Sequence, residues 1–264
     1  MRTILTIAGS DPTGGAGVQA DLQVIASLGC HGCGVITALT AQDTREVHAA
    51  HPLAADWVRE QLDRLLADVR VDAVKVGMLG TASVAEVVAD ALATWRHTPI
   101  VLDPVLASSR GSELLEPAGL RVLKEGLLPI VSLVTPNLAE TEALTGLQTR
   151  DVLRMREAGA KLLELGAAAV LVKGGHLAGQ PVDVLCAGDG VWELPGERIE
   201  GGAAVHGTGC ALSTAAAVFL ARGQSLPDAV RRAKAYVAAG LASPRTLGAA
   251  AVLDYRAAAR AATP

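Results

Sequence analysis

The sequence predicts an α/β fold of three layers, in which a mostly parallel β-sheet is covered by helices on both faces. Short apolar runs rich in Val, Ile and Leu alternate with longer segments of helical period, the pattern of strands joined by helical crossovers. Half of the 264 residues are hydrophobic, which is enough for a large core. Connections stay short, and there is no linker or internal repeat. We therefore expect residues 1–264 to form a single domain.

Six apolar runs are the predicted strands, in chain order. They cover residues 3–9, 33–39, 72–77, 99–105, 133–137 and 168–175. Most of these runs are continuously apolar, which is typical of strands buried on both faces of a parallel sheet.

Helices are predicted between these strands. Apolar residues recur every three or four positions over 18–28 and again over 58–69, and each series forms one buried stripe. Ser83 and Glu86 have the spacing of a capping box, which predicts a helix start at Ser83. The Ala- and Arg-rich tail, 255–264, is predicted to be a surface helix with a frayed end.

Composition limits the partners. The chain has 27 acidic and 23 basic residues, no basic run, and only three Trp, two Tyr and one Phe. It therefore lacks both the charge that binds nucleic-acid phosphates and the aromatic residues that stack on single strands. The apolar stretch at the N-terminus spans about five residues, too short for a signal peptide or a membrane span. We expect a cytoplasmic protein with a small-molecule partner, and no contact with nucleic acid or membrane.

The cysteines do not indicate a disulfide framework. Cys30 and Cys33 have the CxxC spacing of a metal or redox pair, but no second CxxC or CxxH accompanies them. Because Cys33 opens an apolar strand, small buried thiols are the favoured interpretation.

Polar and glycine-rich segments follow several predicted strands, and in a parallel sheet such strand ends meet at one crevice. The first segment, GSDPTGGAGVQAD at 9–21, combines glycines with a helix start that offers free N–H groups to an anion. It matches no nucleotide fingerprint, and a flexible turn is the alternative. In the second, TAQDT at 40–44, the Gln42 amide can pair with an aminopyrimidine edge, although a solvated loop side chain is the simpler interpretation.

The third segment pair is DPV at 103–105 and TPNLAE at 135–140. Asp103 ends a strand, while Asn137 and Glu140 lie three residues apart at a helix start and can face the same space. Such oxygen ligands suit Mg²⁺ that is shared with waters and substrate phosphates. The alternative is that Asn137 is an N-cap and Glu140 completes its capping box.

The fourth segment, HGTGC at 206–210, brings a glycine-flanked turn to a helix start. Gly207 and Gly209 leave N–H groups uncovered, and the positive end of the helix dipole favours an anion or an anionic transition state. The same field should favour the thiolate of Cys210. For Cys210, the alternative is a residue that only starts the helix. Lys173, in LVKGGH, follows a buried strand and could face a nucleotide phosphate; the alternative is a solvated lysine that ends the strand.

Taken in order, GSDPTGGAGVQAD, TALTAQDT, KVGML, DPV, TPNLAE, VKGGH and HGTGC resemble the hydroxymethylpyrimidine/phosphomethylpyrimidine kinases of thiamine biosynthesis, which have the ribokinase-like fold. The resemblance covers residues 3–241. It implies a homodimer that uses ATP and Mg²⁺ to phosphorylate 4-amino-5-hydroxymethyl-2-methylpyrimidine and then the monophosphate that results.

The resemblance also implies roles for individual residues. Those that match the pyrimidine pocket are Gly9, Asp21, Gln42 and Met78. Those that match the magnesium and phosphate region are Asp103, Asn137 and Glu140, and Lys173 matches the ATP side. The anion hole is matched by Gly207, Thr208, Gly209 and Cys210. In sugar kinases of the same superfamily, an aspartate base stands at the position of Cys210.

This chain departs from the common family pattern in three places. Ser109 stands where many members have a lysine, with Arg110 beside it as a substitute phosphate-binding charge. Residues 201–205 read GGAAV where many members carry Lys-Asn-Thr, and the glycine-rich C-terminal motif is reduced at 247–254. The two missing positive charges bear on the handling of a second phosphate.

Two other functions fit parts of the pattern. A pyridoxal or pyridoxine kinase shares the scaffold, although Gln42 and Met78 favour an aminopyrimidine. A catalytically silent ligand-binding protein would not need the full set of Asp103, Asn137, Glu140 and the HGTGC turn. A sugar kinase is disfavoured because Cys210 replaces the aspartate base.

Overall fold

The computed structural model describes residues 1–95, 97–108, 111–199, 201–202 and 205–262. In these ranges nine strands form one sheet. They are β1 (Thr3–Ser10), β2 (His31–Gln42), β3 (Val47–Pro52), β4 (Ala73–Val76), β5 (Ile100–Leu102), β6 (Leu133–Val134), β7 (Ala169–Val172), β8 (Val182–Ala187) and β9 (Gly190–Pro195). Their order across the sheet is β3-β2-β1-β4-β5-β6-β7-β8-β9.

The six predicted strands are the parallel centre of this sheet, from β2 through β1, β4, β5 and β6 to β7. The mostly parallel sheet is therefore confirmed. Three strands that the sequence analysis missed, β3, β8 and β9, pair antiparallel at the two edges. β3 gave no apolar signal because it is a largely exposed edge strand, VHAAHP.

Helices cover both faces of the sheet. They are α1 (Gly17–Ser27), α2 (Ala55–Asp68), α3 (Ala82–Leu92), α4 (Pro117–Val122), α5 (Leu138–Thr145), α6 (Val152–Glu164), α7 (Thr208–Ala221), α8 (Leu226–Ala242) and α9 (Tyr255–Ala262). A π turn, Leu123–Leu127, and a 3-10 turn, Leu128–Ile130, follow α4. Among the described residues, no helix is both long enough and apolar enough to cross a membrane.

Two hydrophobic cores lie on opposite faces of the sheet. One contains residues of α2, α3 and α6, and the other contains residues of α1, α7 and α8. Successive residues of β5 alternate between them, since Ile100 and Leu102 belong to the first core and Val101 to the second. This alternation explains the continuous apolar runs in the sequence, because both faces of each central strand are buried.

The start of α3 differs from the prediction. Thr81 is the N-cap, and its side-chain oxygen accepts a hydrogen bond from the Val84 N–H at 3.2 Å. Ser83 lies inside the first turn of the helix. The predicted capping box at Ser83 is therefore wrong, because the extended residue before the helix is Thr81 and not Ser83.

A second, smaller sheet lies beside the end of β2. It contains β10 (Val205–His206), β11 (Arg245–Leu247) and β12 (Ala250–Val252) in the order β10-β12-β11. The strand that leads into α7 is thereby held against a hairpin from the C-terminal part of the chain. That hairpin also reaches the end of β2, where the Ala249 N–H donates to Thr44 Oγ1 at 2.9 Å.

Candidate active site

The carboxyl ends of the parallel strands bring together most of the residues singled out from the sequence. Asp11 follows β1, Met78 lies just after β4, and Asp103 follows β5. Asn137, after β6, pairs through its backbone with Lys173, which follows β7. These residues converge because parallel strands place their carboxyl ends on one edge of a sheet.

A lysine lies between the two carboxylates of this crevice. Lys173 Nζ is 2.9 Å from Asp103 Oδ1 and 4.0 Å from Glu140 Oε2. Asp103 and Glu140 are only 2% and 7% exposed. Burial opposes the charge of Asp103, but the charges of Lys173 and Lys75 lower its pKa. Burial raises the pKa of Glu140 to about 7, and the neighbouring Asp103 adds to this effect while Lys173 opposes it.

Glu140 is also part of a helix cap. The Asn137 side chain accepts a hydrogen bond from the Glu140 N–H at 2.9 Å, and the Glu140 carboxylate accepts one from the Asn137 N–H at 2.7 Å. The capping-box interpretation is therefore confirmed. The cap does not compete with a role in the crevice, because it holds the carboxylate of Glu140 beside Lys173.

The donor set at this point fits Mg²⁺ bound largely through other ligands. Asp103 and Glu140 supply two buried carboxylates, and Mg²⁺ in phosphate-binding sites commonly uses one or two carboxylates together with waters and phosphate oxygens. In the part of the chain that the structure describes, no group of three or more His, Cys, Asp or Glu residues could hold a metal by itself.

The backbone around Lys173 is fixed from both sides. Its N–H donates to the carbonyl of Pro136 at 2.8 Å, and the next N–H, of Gly174, donates to Asp183 Oδ1 at 2.8 Å. Asp183 is held in turn by Lys234, whose ammonium lies 2.6 Å from its other oxygen. Asp183 and Lys234 were not predicted from the sequence, since neither lies in a glycine-rich segment.

The first turn of α7 lies over the same cluster. Gly207, the N-cap, has φ +81°, and an added Cβ would run into the carbonyl oxygen of Gly15. An added Cβ on Gly209 would lie 3.3 Å from Lys173 Nζ and 3.9 Å from Asp103 Oδ2. A helix start leaves backbone N–H groups without intrahelical partners. The arrangement therefore offers these N–H groups and an ammonium to one anion.

Cys210 lies in that first turn, but its thiolate is not favoured. Burial raises the pKa of the Cys210 thiol to about 11; the charges of Asp103 and Asp21 also raise it, while Lys75 and the Gly17 N–H lower it. The expectation of a thiolate stabilised by the helix dipole is wrong for this structure, because desolvation and two carboxylates outweigh the favourable charges.

Asp21 does not line the crevice. It is fully buried, and its carboxylate accepts hydrogen bonds from Thr6 Oγ1 at 2.6 Å, Thr214 Oγ1 at 2.7 Å and Lys75 Nζ at 2.8 Å. The expectation that Asp21 contacts the substrate directly is corrected, because both carboxylate oxygens are already bonded inside the protein. Instead it ties α1, β1, β4 and α7 together beneath the site. The sequence signal for this junction was Lys75, a charge in the middle of the apolar strand AVKV.

Gly9 and Met78 meet at the ends of β1 and β4. An added Cβ on Gly9 would lie 2.8 Å from Met78 Sδ, so only glycine leaves room for this methionine. Met78 is buried but still 9% exposed, and its carbonyl accepts a hydrogen bond from Thr37 Oγ1 at 2.6 Å.

Gln42, the last residue of β2, lies close to His206. The two side chains approach within 3.4 Å, and His206 Nε2 lies 3.1 Å from Asp11 Oδ2. From the sequence, His206 was identified only as the first residue of HGTGC, and Asp11 only as part of the 9–21 segment. The predicted residue Arg110, its neighbour Ser109, and Ala203 and Ala204 of the altered 201–205 segment lie outside the described residues.

Comparison with known proteins agrees with this geometry. The family model of phosphomethylpyrimidine kinase matches residues 11–253. The hydroxymethylpyrimidine/phosphomethylpyrimidine kinase of Streptomyces coelicolor is 44% identical over 245 residues, which cover 93% of this chain and 90% of that protein.

A second relative is the thiamine biosynthesis bifunctional protein ThiED of Geobacter sulfurreducens. It is 44% identical over 247 residues, 93% of this chain, and this chain spans 50% of its length. Among solved structures, the pyridoxal kinase of Staphylococcus aureus in complex with AMP-PCP and pyridoxal has a TM-score of 0.89 and 31% identity, covering 97% of this chain and 94% of that one. The fold, the converging site and the sequence matches all lead to one conclusion: the chain belongs to the phosphomethylpyrimidine kinase family, with a ribokinase-like α/β fold.

Proposed function

We propose that this kinase transfers the γ-phosphoryl group of ATP to 4-amino-5-hydroxymethyl-2-methylpyrimidine, and then phosphorylates the monophosphate to the diphosphate used for thiamine. The observation that carries the proposal is the position of Lys173, which lies between the Asp103 and Glu140 carboxylates and under the first turn of α7. The names of the relatives support the pyrimidine substrate, and the AMP-PCP in the pyridoxal kinase complex supports the nucleotide.

Phosphoryl transfer requires alignment and neutralisation of charge more than covalent work by the protein. Lys173 and the N–H groups of the α7 first turn, Gly207 to Cys210, would bind the transferring phosphoryl group and balance its charge. Asp103 and Glu140 would hold Mg²⁺, which when bound supplies further neutralisation of the phosphate oxygens. Asn137 orients Glu140 through the capping box, and Arg110 would supply a further phosphate contact.

The pyrimidine would lie between Gly9, Met78 and Gln42, with Met78 against the ring and the Gln42 amide on the aminopyrimidine edge. Cys210 would lie at the hydroxymethyl group. Asp21 would support the site from beneath through its hydrogen bonds with Thr214 on α7 and Lys75 on β4. We further propose that residues 1–264 work as one domain, in a cytoplasmic homodimer, as the family resemblance implies.

A pyridoxal kinase is the second candidate, because the structural match to the Staphylococcus aureus pyridoxal kinase extends over 97% of the chain. The catalytically silent alternative is disfavoured by the complete set of cluster residues.

A coupled ATPase assay with mass detection of products tests the proposal. Hydroxymethylpyrimidine, its monophosphate and pyridoxal are offered in parallel, with and without Mg²⁺. Both the mono- and diphosphate of the pyrimidine are expected, and only with Mg²⁺. Turnover of pyridoxal without turnover of either pyrimidine would replace the proposal with the second candidate, and no turnover of any substrate would support the silent alternative.

A further inference from the structure

A row of polar side chains connects the β1–α1 loop with the end of β2. His206 Nε2 lies 3.1 Å from Asp11 Oδ2 and 3.4 Å from the amide nitrogen of Gln42. On the other side of the amide, Gln42 Oε1 lies 3.3 Å from Thr40 Oγ1. The imidazole of His206 thus links a carboxylate to the amide that the proposed function places on the substrate.

The Asp11 carboxylate decides which way the hydrogen bond to His206 runs. Asp11 is 3% exposed and accepts hydrogen bonds from the N–H groups of Thr13 at 2.8 Å and Ala16 at 2.9 Å. Burial opposes its ionisation, but the hydrogen bonds from His206 and Thr13 lower the pKa of Asp11. An ionised carboxylate can only accept. His206 Nε2 therefore carries a hydrogen and donates it to Asp11.

This direction leaves no partner on His206 for the N–H group of Gln42. A nitrogen that carries a hydrogen in an imidazole has no free lone pair, so two donors would face each other at 3.4 Å. At the other end, the Thr40 hydroxyl donates to the Ser10 carbonyl at 2.9 Å, the shorter of its two contacts. Its lone pairs are then left for Gln42. Both neighbours therefore favour the Gln42 amide rotated by 180°. This rotation exchanges the amide oxygen and nitrogen, which have nearly the same shape.

We propose that Asp11 and His206 are positioning residues that fix the orientation of the Gln42 amide and thereby select an aminopyrimidine. The inference rests on the proposed function, in which Gln42 contacts the substrate. In the rotated orientation, the amide oxygen takes the place 3.4 Å from His206 Nε2 and accepts the longer branch of the hydrogen that Nε2 shares with Asp11. One amide hydrogen is donated to Thr40. One lone pair and one hydrogen remain, and these match the amino group and the ring nitrogen of a 4-aminopyrimidine.

The position of the imidazole is itself tightly set. An added Cβ on Gly15 would lie 2.5 Å from His206 Cδ2, so the ring packs directly on the glycine backbone. A Gln42 amide that is fixed in one orientation also favours one substrate over another. Pyridoxal has no amino group beside a ring nitrogen, and would leave the fixed groups of Gln42 unpaired, which is the strongest kind of discrimination available to a polar site.

Two substitutions of the same residue separate positioning from packing. His206→Phe keeps a planar ring against Gly15 and removes the donor, while His206→Gln keeps an N–H donor near the position of Nε2. We expect His206→Phe to raise KM for hydroxymethylpyrimidine about tenfold, the loss of roughly one oriented hydrogen bond. KM for ATP should stay unchanged, kcat/KM for the pyrimidine should fall relative to pyridoxal, and His206→Gln should restore most of the difference. His31→Phe, at the exposed amino end of β2, is the matched control and should change neither constant.

The inference is overturned if His206→Phe leaves the pyrimidine KM unchanged. It is also overturned if the two KM values rise together and His206→Gln is no better than His206→Phe, since that would indicate packing.

A second readout does not depend on turnover. The side-chain amide signal of Gln42 in a ¹⁵N NMR spectrum, identified by its loss in Gln42→Leu, should exchange with water more slowly in the wild type than in His206→Phe. Equal exchange in both proteins would overturn the inference. A wild type that does not phosphorylate the pyrimidine would contradict the proposed function, while the exchange comparison would still decide whether the amide is held.

Discussion

The ammonium of Lys75 lies 2.8 Å from the carboxylate of Asp21, and both side chains are completely buried. Burial opposes the charge of Lys75, but the carboxylate of Asp21 raises its pKa. The ammonium of Lys75 therefore keeps its charge without contact with water, directly beneath the helix start that we place at the phosphate.

Removing one partner of this pair should be costly. We predict that Lys75→Met lowers the free energy of unfolding by about 3–5 kcal/mol, because the Asp21 charge stays buried without its cation. Urea denaturation measures the change. Lys161→Met is the matched control, since Lys161 pairs with Glu164 at the surface, and it should cost less than about 1 kcal/mol. Equal losses in the two variants would show that the buried pair has no special role.

Gly207→Ala should inactivate the enzyme. Its added Cβ would enter the carbonyl oxygen of Gly15 and displace the first turn of α7, and a shift of this kind costs roughly 100-fold in kcat/KM. Gly223→Ala is the control, because Gly223 has φ +77° and nothing within 4 Å of an added Cβ. The control should lose about 1–2 kcal/mol of stability and keep its activity. If Gly207→Ala retained full kcat/KM, the proposed anion site would be misplaced.

The reactivity of Cys210 should follow its raised pKa. Because the thiol becomes ionised only near pH 11, its alkylation by iodoacetamide should be slow at pH 7 and rise about tenfold for each pH unit up to pH 10. Mass spectrometry of the Cys210 peptide gives the rates, and the same thiol in urea should titrate near 8.5. Asp103→Asn should shift the folded profile to lower pH, because the Asp103 carboxylate is one of the charges that raise the pKa. A profile for the folded protein that coincided with the profile in urea would contradict the structure.

Cys210→Ala should affect the two phosphorylation steps differently. An alcohol must lose its proton during the first transfer, and a positioned base contributes about 10² to 10⁴-fold in rate. The Cys210 thiol is protonated in the free enzyme, so it can accept this proton only when Mg²⁺ held by Asp103 offsets a charge that raises its pKa. The second nucleophile is a phosphate oxygen that is already ionised near neutral pH. Single-turnover rates with each substrate should therefore show a much larger loss in the first step. Equal losses would indicate that Cys210 acts through geometry or packing.

The Glu140→Gln variant distinguishes the role of Glu140 in the helix cap from its proposed role in binding Mg²⁺. The amide oxygen of glutamine can still accept the hydrogen bond from the Asn137 N–H, so the thermal unfolding temperature should change little. Loss of the charge should raise the Mg²⁺ concentration needed for half-maximal activity by about tenfold or more. Glu157, which forms an exposed salt bridge with Arg154, provides a control: Glu157→Gln should leave the magnesium requirement unchanged. A fall in stability with an unchanged magnesium requirement would show that Glu140 is only a cap.

Much of this architecture could be predicted from local pattern. The six central strands were evident because each is apolar on two faces that feed separate cores, as Ile100 and Val101 illustrate. The edge strands escaped detection because an exposed strand such as β3 carries no apolar signal. The prediction misplaced the start of α3 because Thr81 and Ser83 are both residue types that favour the N-cap, and only the extended backbone at Thr81 selects one of them.

The parallel α/β fold and the polar segments at its strand ends could be predicted from local signals, since strand periodicity and glycine placement are local properties. The contacts of each polar residue follow only from the packing of the whole chain. Asp21 belongs to a buried junction, Cys210 carries a protonated thiol, and Gln42 meets a histidine far away in the chain. Desolvation and pairing depend on groups brought together from distant segments, so the state of a charged or polar side chain is fixed by packing.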